Sequence, residues 1–184
     1  MHPFREAVVH DTRRWLERAV IGLNLCPFAK AVHVKDQVHY AVSSATNGSE
    51  LLDDLSAELD ALLAAEPSAR ETTLLVVPNC LGDFLDFNAF LVQAGRLLRK
   101  RRLEGVIQLA SFHPGYQFTE SEPQDMANFT NRSPWPTIHL LRESSIDRAV
   151  AAFAQPESIY EANMRTLREL GPQGWAALGV GPAP

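Results

Sequence analysis

The chain has 184 residues, 46% hydrophobic and 21% charged, with 17 basic against 22 acidic side chains and a formal charge of −5. These are values of an ordinary globular domain, and the acidic balance excludes a broad basic face for nucleic acid or anionic lipid. Two cysteines are too few for a disulfide framework. No apolar run reaches the ~18–20 residues that span a bilayer, and the N-terminus lacks a signal-peptide core, so the expected setting is cytoplasmic, with neither membrane nor nucleic acid as partner.

Pro3 suits a first helical turn, and Val8, Trp15, Leu16, Ala19 and Val20 recur at helical spacing until Gly22, Asn24 and Pro27 stop the helix. Val38, Tyr40 and Val42 alternate with polar or small residues, as in a half-buried strand. Asn47 and Glu50 form a capping pair ahead of a leucine stripe from Leu51 to Leu63, which Pro67 ends. Residues 73–77 are an apolar run of the kind buried on both faces. Phe87, Phe90, Leu91, Ala94, Leu97 and Leu98 predict the next helix, and residues 106–111 a third strand. A 24-residue loop (112–135) leads to a fourth strand over 137–141. Ser144 and Ser145 can cap a short helix carrying Ile146, Val150 and Phe153, broken by Pro156. Ile159 to Leu170 mark the last long helix, 172–178 one more turn, and 180–184 a frayed tail.

The expected fold is α/β: a single domain over 1–184, with a four-stranded mixed, mostly parallel sheet and about five helices. Two crossover units between residues 38 and 111 would point three strands the same way, and open α/β sheets bind ligands beyond that carboxyl edge. Loops 43–49, 78–83 and 112–116 meet there. An antiparallel fourth strand would bring Asn131, Arg132, Ser133 and Pro134 to the same edge.

The 112–135 loop, which Phe112, Tyr116, Phe118, Phe129 and Trp135 can anchor, resembles a binding loop more than a spacer, against the reading of an inserted flap with ordinary surface polar residues. Within it His113-Pro114-Gly115-Tyr116 has the Pro-Gly order of a type II turn, which sets an imidazole beside a phenol. His113 is the candidate general acid/base; the competing reading is a ring satisfied by a nearby carbonyl. Arg132 is the candidate anchor for a carboxylate or phosphate, against a structural arginine that bridges loop carbonyls or pairs with Asp125. Tyr116, Asn131 and Asp125 complete the substrate-binding set. Cys26 is an optional nucleophile, although it follows a helix rather than starting one and so gains nothing from a helix dipole. Cys80, just ahead of a helix, is electrostatically better placed but has no nearby base. Cys26, His113, Asp125 and His139 lack metal-ligand spacing, and no dinucleotide, Walker or nucleophile-elbow motif is present. No metal and no cofactor are therefore expected.

Asn24-Leu25-Cys26-Pro27-Phe28-Ala29, the stretch from Phe112 to Phe118, and Thr130-Asn131-Arg132-Ser133-Pro134-Trp135-Pro136 with the following 137–143 segment carry a resemblance over nearly the whole chain. The sequence resembles an uncharacterised bacterial and plant family known only as a domain of unknown function. The resemblance implies that Cys26, His113, Asn131 and Arg132 belong to one recurring constellation, and it supplies no reaction. The leading expectation is a hydrolase or transferase acting on a small polar or anionic metabolite. The alternative is a non-catalytic module that binds a small molecule or a protein through the 112–135 loop.

Overall fold

In the computed structural model, which describes residues 3–151 and 158–181, the apolar alternation of four segments builds one sheet with helices on both faces. Its strands are β1 (Val38–Val42), β2 (Thr72–Val76), β3 (Ile107–Phe112) and β4 (Thr137–Arg142), in the order β1-β2-β4-β3. β1 and β2 pair parallel, while β4 lies antiparallel to both β2 and β3. The sheet is thus mixed, and β1, β2 and β3 share one direction as expected. By pairing, however, it is mostly antiparallel. Only the first crossover joins neighbours, because β4 with its fully buried Ile138 and Leu140 occupies the slot between β2 and β3.

The helices described are α1 (Pro3–Trp15), α2 (Ala29–Val34), α3 (Gly48–Ala64), α4 (Phe84–Lys100), α5 (Glu143–Ala151) and α6 (Ser158–Ala177). α1 runs on as a π-helical turn, Leu16–Ile21, and α6 kinks at Gly171 (φ 66°) ahead of Pro172. α2 is the helix that periodicity does not reveal: it is six residues long and buries none of them. The expected break after Phe153 at Pro156 lies outside the described residues, as does the tail from 182. Among the described residues no helix is long and apolar enough to cross a membrane.

Two apolar layers hold the sheet. On one face Leu51, Leu55, Leu59 and Leu62 of α3 and Phe87, Phe90 and Ala94 of α4 pack on Leu75, Ile138 and Leu140. On the other, Trp15, Leu16 and Ala19 join Leu74, Phe129, Leu167 and Trp175. A fully buried leucine contributes roughly 1.5–3 kcal/mol, so these stripes rather than helix propensity fix the layers. The α3 start is capped as its sequence suggests, with one shift. Asn47 accepts from the Ser49 and Glu50 amides, while Glu50 reaches back to the Thr46 amide and hydroxyl.

Candidate functional site

The carboxyl ends of β1, β2 and β3 and the start of β4 share one edge, and a cleft of about 340 Å³ opens there. Its walls come from three segments: Val77, Pro78, Asn79, Cys80 and Gly82 after β2, Pro114 after β3, and Pro134, Trp135 and Pro136 before β4. Backbone bonds carry the sheet pairing into these loops. The Val77 amide donates to the Pro136 carbonyl and the His113 amide to that of Asn131. Proline has no amide to satisfy and a fixed φ, so four prolines make a rigid, largely apolar wall. Among the described residues no basic or acidic side chain lines it.

Behind Pro114 lies His113, 1% exposed and packed between the rings of Phe84 and Phe87 at 5.4 and 5.1 Å. Its Nδ1 faces the Gly115 amide at 2.9 Å, and its Nε2 faces the Leu81 carbonyl at 3.0 Å. An amide N–H only donates and a carbonyl only accepts, which assigns the neutral ring with its proton on Nε2. Burial lowers its pKa, opposed by the Leu81 carbonyl and the Asp83 charge. The His-Pro-Gly-Tyr turn closes as expected, with the Tyr116 amide on the His113 carbonyl at 3.1 Å. It is not type II, because Gly115 is absent from the positive-φ residues that such a turn requires. The ring itself takes the Gly115 amide instead.

Leu81, the residue the ring holds, has φ 57°. A non-glycine side chain in this left-handed region costs about 1–3 kcal/mol and persists where its surroundings impose it. Here the imposing contacts are the His113 bond and the apolar core, against which the Leu81 side chain packs. Beside it Cys80 is half-buried, and its thiol pKa is raised by burial first and then by the Glu50 and Asp54 carboxylates of α3.

The other predicted site residues organise the 112–135 loop. Arg132 donates to the Tyr116 and Pro123 carbonyls and lies over the Phe129 ring at 4.2 Å, and burial lowers its pKa. The Asn131 amide group donates to the Ser111 carbonyl. Asp125 caps the 3-10 turn Met126–Thr130 through the Ala127 amide and pairs two-pronged with Arg168 of α6, whose hydrogen bond chiefly lowers its pKa. Tyr116 packs on Phe84 at 5.1 Å and on Phe118, which meets Tyr160 of α6. Burial raises its phenol pKa, as does Tyr160. A run of rings thus ties α4 on one face of the sheet to α6 on the other. Asn128, fully buried, receives the Phe118 amide and the Ser121 hydroxyl and donates to the Glu122 carbonyl.

Cys26 stands apart. It packs with the Trp15 and Tyr40 layer, on the sheet face opposite Phe87 and His113. The fold therefore brings His113, Tyr116, Asn131 and Arg132 to one loop system, with Cys26 in the apolar layer that Met126 and Phe129 of that loop share and not on the cleft wall. No metal-binding cluster of histidine, cysteine and carboxylates occurs among the described residues. What sequence reasoning missed is the wall itself. The sequence signal for Asn79, Pro114, Trp135 and Pro136 is a proline beside three of the four strand ends at this edge: Pro78 two residues after β2, Pro114 two after β3 and Pro136 just before β4.

A mixed α/β domain with a proline-walled cleft at its shared strand edge is the class of protein these features define. The chain belongs to the family described as "Protein of unknown function (DUF1415)", which it matches over residues 7–177. No curated protein and no solved structure matches it.

Proposed function

We propose that the chain binds a small, uncharged molecule in the cleft at the carboxyl edge of β2, without acting on it through His113. The observation that carries this reading is the wall of prolines and Trp135, held in shape by the strained Leu81 and the buried His113. Small-molecule sites are concave, mostly apolar and of about 300–1,000 Å³, with a few polar groups to orient the guest. Asn79 and the Cys80 thiol are those groups.

An anionic guest fits poorly. Arg132 is engaged with loop carbonyls, and the α4 amides of Leu85 and Asp86 that could hold an anion are taken by Asp83. The carboxylates of Glu50 and Asp54 act on Cys80 and would repel negative charge. Acid–base chemistry at His113 has little support, since both ring nitrogens have protein partners and the residue is buried. Both cysteines are free thiols, as in a cytoplasmic setting.

The test is amide NMR of the full chain with a library of uncharged heterocyclic fragments. Shifts clustered on Asn79, Cys80, Gly82 and the Trp135 indole, and abolished in Cys80→Trp, support the reading. Fragments that bind elsewhere, or none that bind, would remove it.

A further inference from the structure

We propose that His113 is a proton-operated latch on this cleft: the neutral ring ties the loop after β2 to the turn after β3, and protonation unties them. The inference rests on the cleft being a ligand site for its consequence, but not for its mechanism. The ring bridges two walls of the cleft. Through Nε2–H it holds Leu81, between Cys80 and Gly82, and through Nδ1 it holds Gly115, next to Pro114.

Adding a proton to Nδ1 sets one N–H against another at a 2.9 Å nitrogen separation. The Gly115 amide loses its acceptor, and the new charge sits in a 1% exposed site between two phenylalanine rings. Leaving the site relieves both, and it also frees Leu81 from the bond that helps hold its left-handed backbone. Each step of release therefore favours the next.

The groups around the ring do not neutralise the charge. From α4 come Phe84 and Phe87, with Asp83 ahead of them as the carboxylate whose field reaches the ring. Asp83 is already engaged as the cap of α4. From the 112–135 loop comes Tyr116, uncharged at neutral pH, since its phenol pKa is raised. The loop after β2 contributes the Leu81 carbonyl and the Cys80 thiol, whose pKa is also raised. Asn131 meets the His113 backbone through a carbonyl only. Burial outweighs Asp83, so release belongs on the acid side of the ordinary histidine range.

The experiment is a pH titration of the ¹⁵N-labelled full chain, following the His113 ring nitrogens and the exchange of the Gly115 amide corrected for intrinsic chemistry. The expected result is an unprotonated Nδ1 at neutral pH. Gly115 protection then falls about tenfold per pH unit below roughly 6.5, while β2 amides such as Leu75 stay protected. A ring that stays neutral, with Gly115 protection flat until the whole chain unfolds, overturns the latch. So does a His113→Phe variant whose Gly115 protection shows the same acid response as the parent. The fragment used for the cleft separates the two claims. Binding that is unchanged where His113 is charged overturns the latch and leaves the cleft reading intact. Binding at no pH removes the cleft reading, and the ring and amide measurements still decide the latch.

Discussion

The imidazole of His113 and the backbone of Leu81 form a single strained unit: a neutral, fully buried ring donates at 3.0 Å to the carbonyl of a leucine at φ 57°. Each explains the other, since the ring gains a partner for its N–H and the leucine a contact that holds an unfavoured conformation. This unit sets the shape of the cleft wall, and several expectations depend on it or on its neighbours.

Cys80 should react slowly. Its thiol pKa is raised by burial and by Glu50 and Asp54, so little thiolate exists at neutral pH. Iodoacetamide at pH 7 should label it more slowly than a free model thiol, and the rate should keep climbing above pH 9. Fast labelling at neutral pH would instead mark an activated nucleophile.

Asn128 should be the most sensitive polar position of the 112–135 loop. Asn128→Ala leaves the Phe118 amide, the Ser121 hydroxyl and the Glu122 carbonyl without their side-chain partner in a buried site. A loss of about 2–3 kcal/mol follows, measured by urea denaturation, with protease cleavage appearing first within residues 117–125.

Stability should fall on the acid side of neutrality. Burial lowers His139 to about 4 and lowers His113. Thr72 has one hydroxyl proton; given to the Leu140 carbonyl, it leaves the oxygen to accept from His139 Nε2–H, a second neutral ring. Between the unfolded value near 6.5 and the folded one, only the unfolded chain binds these protons. Stability is therefore complete above about pH 7, declines as pH falls from 6.5, and for His139 levels off below about 4. Chemical denaturation across pH 7.5 to 4.5 should show this slope, and His139→Leu should reduce it by about 1 kcal/mol per pH unit.

Arg102→Gly should stabilise the fold. Arg102 follows the last turn of α4 at φ 56°, with the Leu103 amide returning to the Leu98 carbonyl, the geometry in which helices favour glycine. A gain of about 0.5–1 kcal/mol is expected from removing the side chain there, read as a higher denaturation midpoint with unchanged m-value.

Much of the fold was legible because apolar periodicity reports burial. The Leu51 to Leu62 stripe, the all-buried Thr72–Val76 strand and the Asn47 cap follow from spacing and side-chain chemistry alone. Strand order was not legible. Residues 137–141 read as a strand wherever they insert, and pairing with both β2 and β3 is decided by long-range packing of Ile138 and Leu140. At the candidate site, topology alone gathers His113, Tyr116, Asn131 and Arg132 into neighbouring loops at one edge of the sheet, as the structure has them. The sequence could not tell whether their polar atoms face a guest or the backbone, because the partners of His113 and Arg132 are carbonyls and amides that every residue carries. The left-handed Leu81 was hidden for a related reason, since nothing in a leucine announces a positive φ.

The most direct measurement is a crystal structure of the full chain soaked with the tightest-binding uncharged fragment. Density lodged against Pro78, Pro114 and Trp135, within hydrogen-bond reach of Asn79 or Cys80, is the predicted result. A vacant proline-walled space with the fragment seated at Cys26 or over the Arg132 loop would contradict the account.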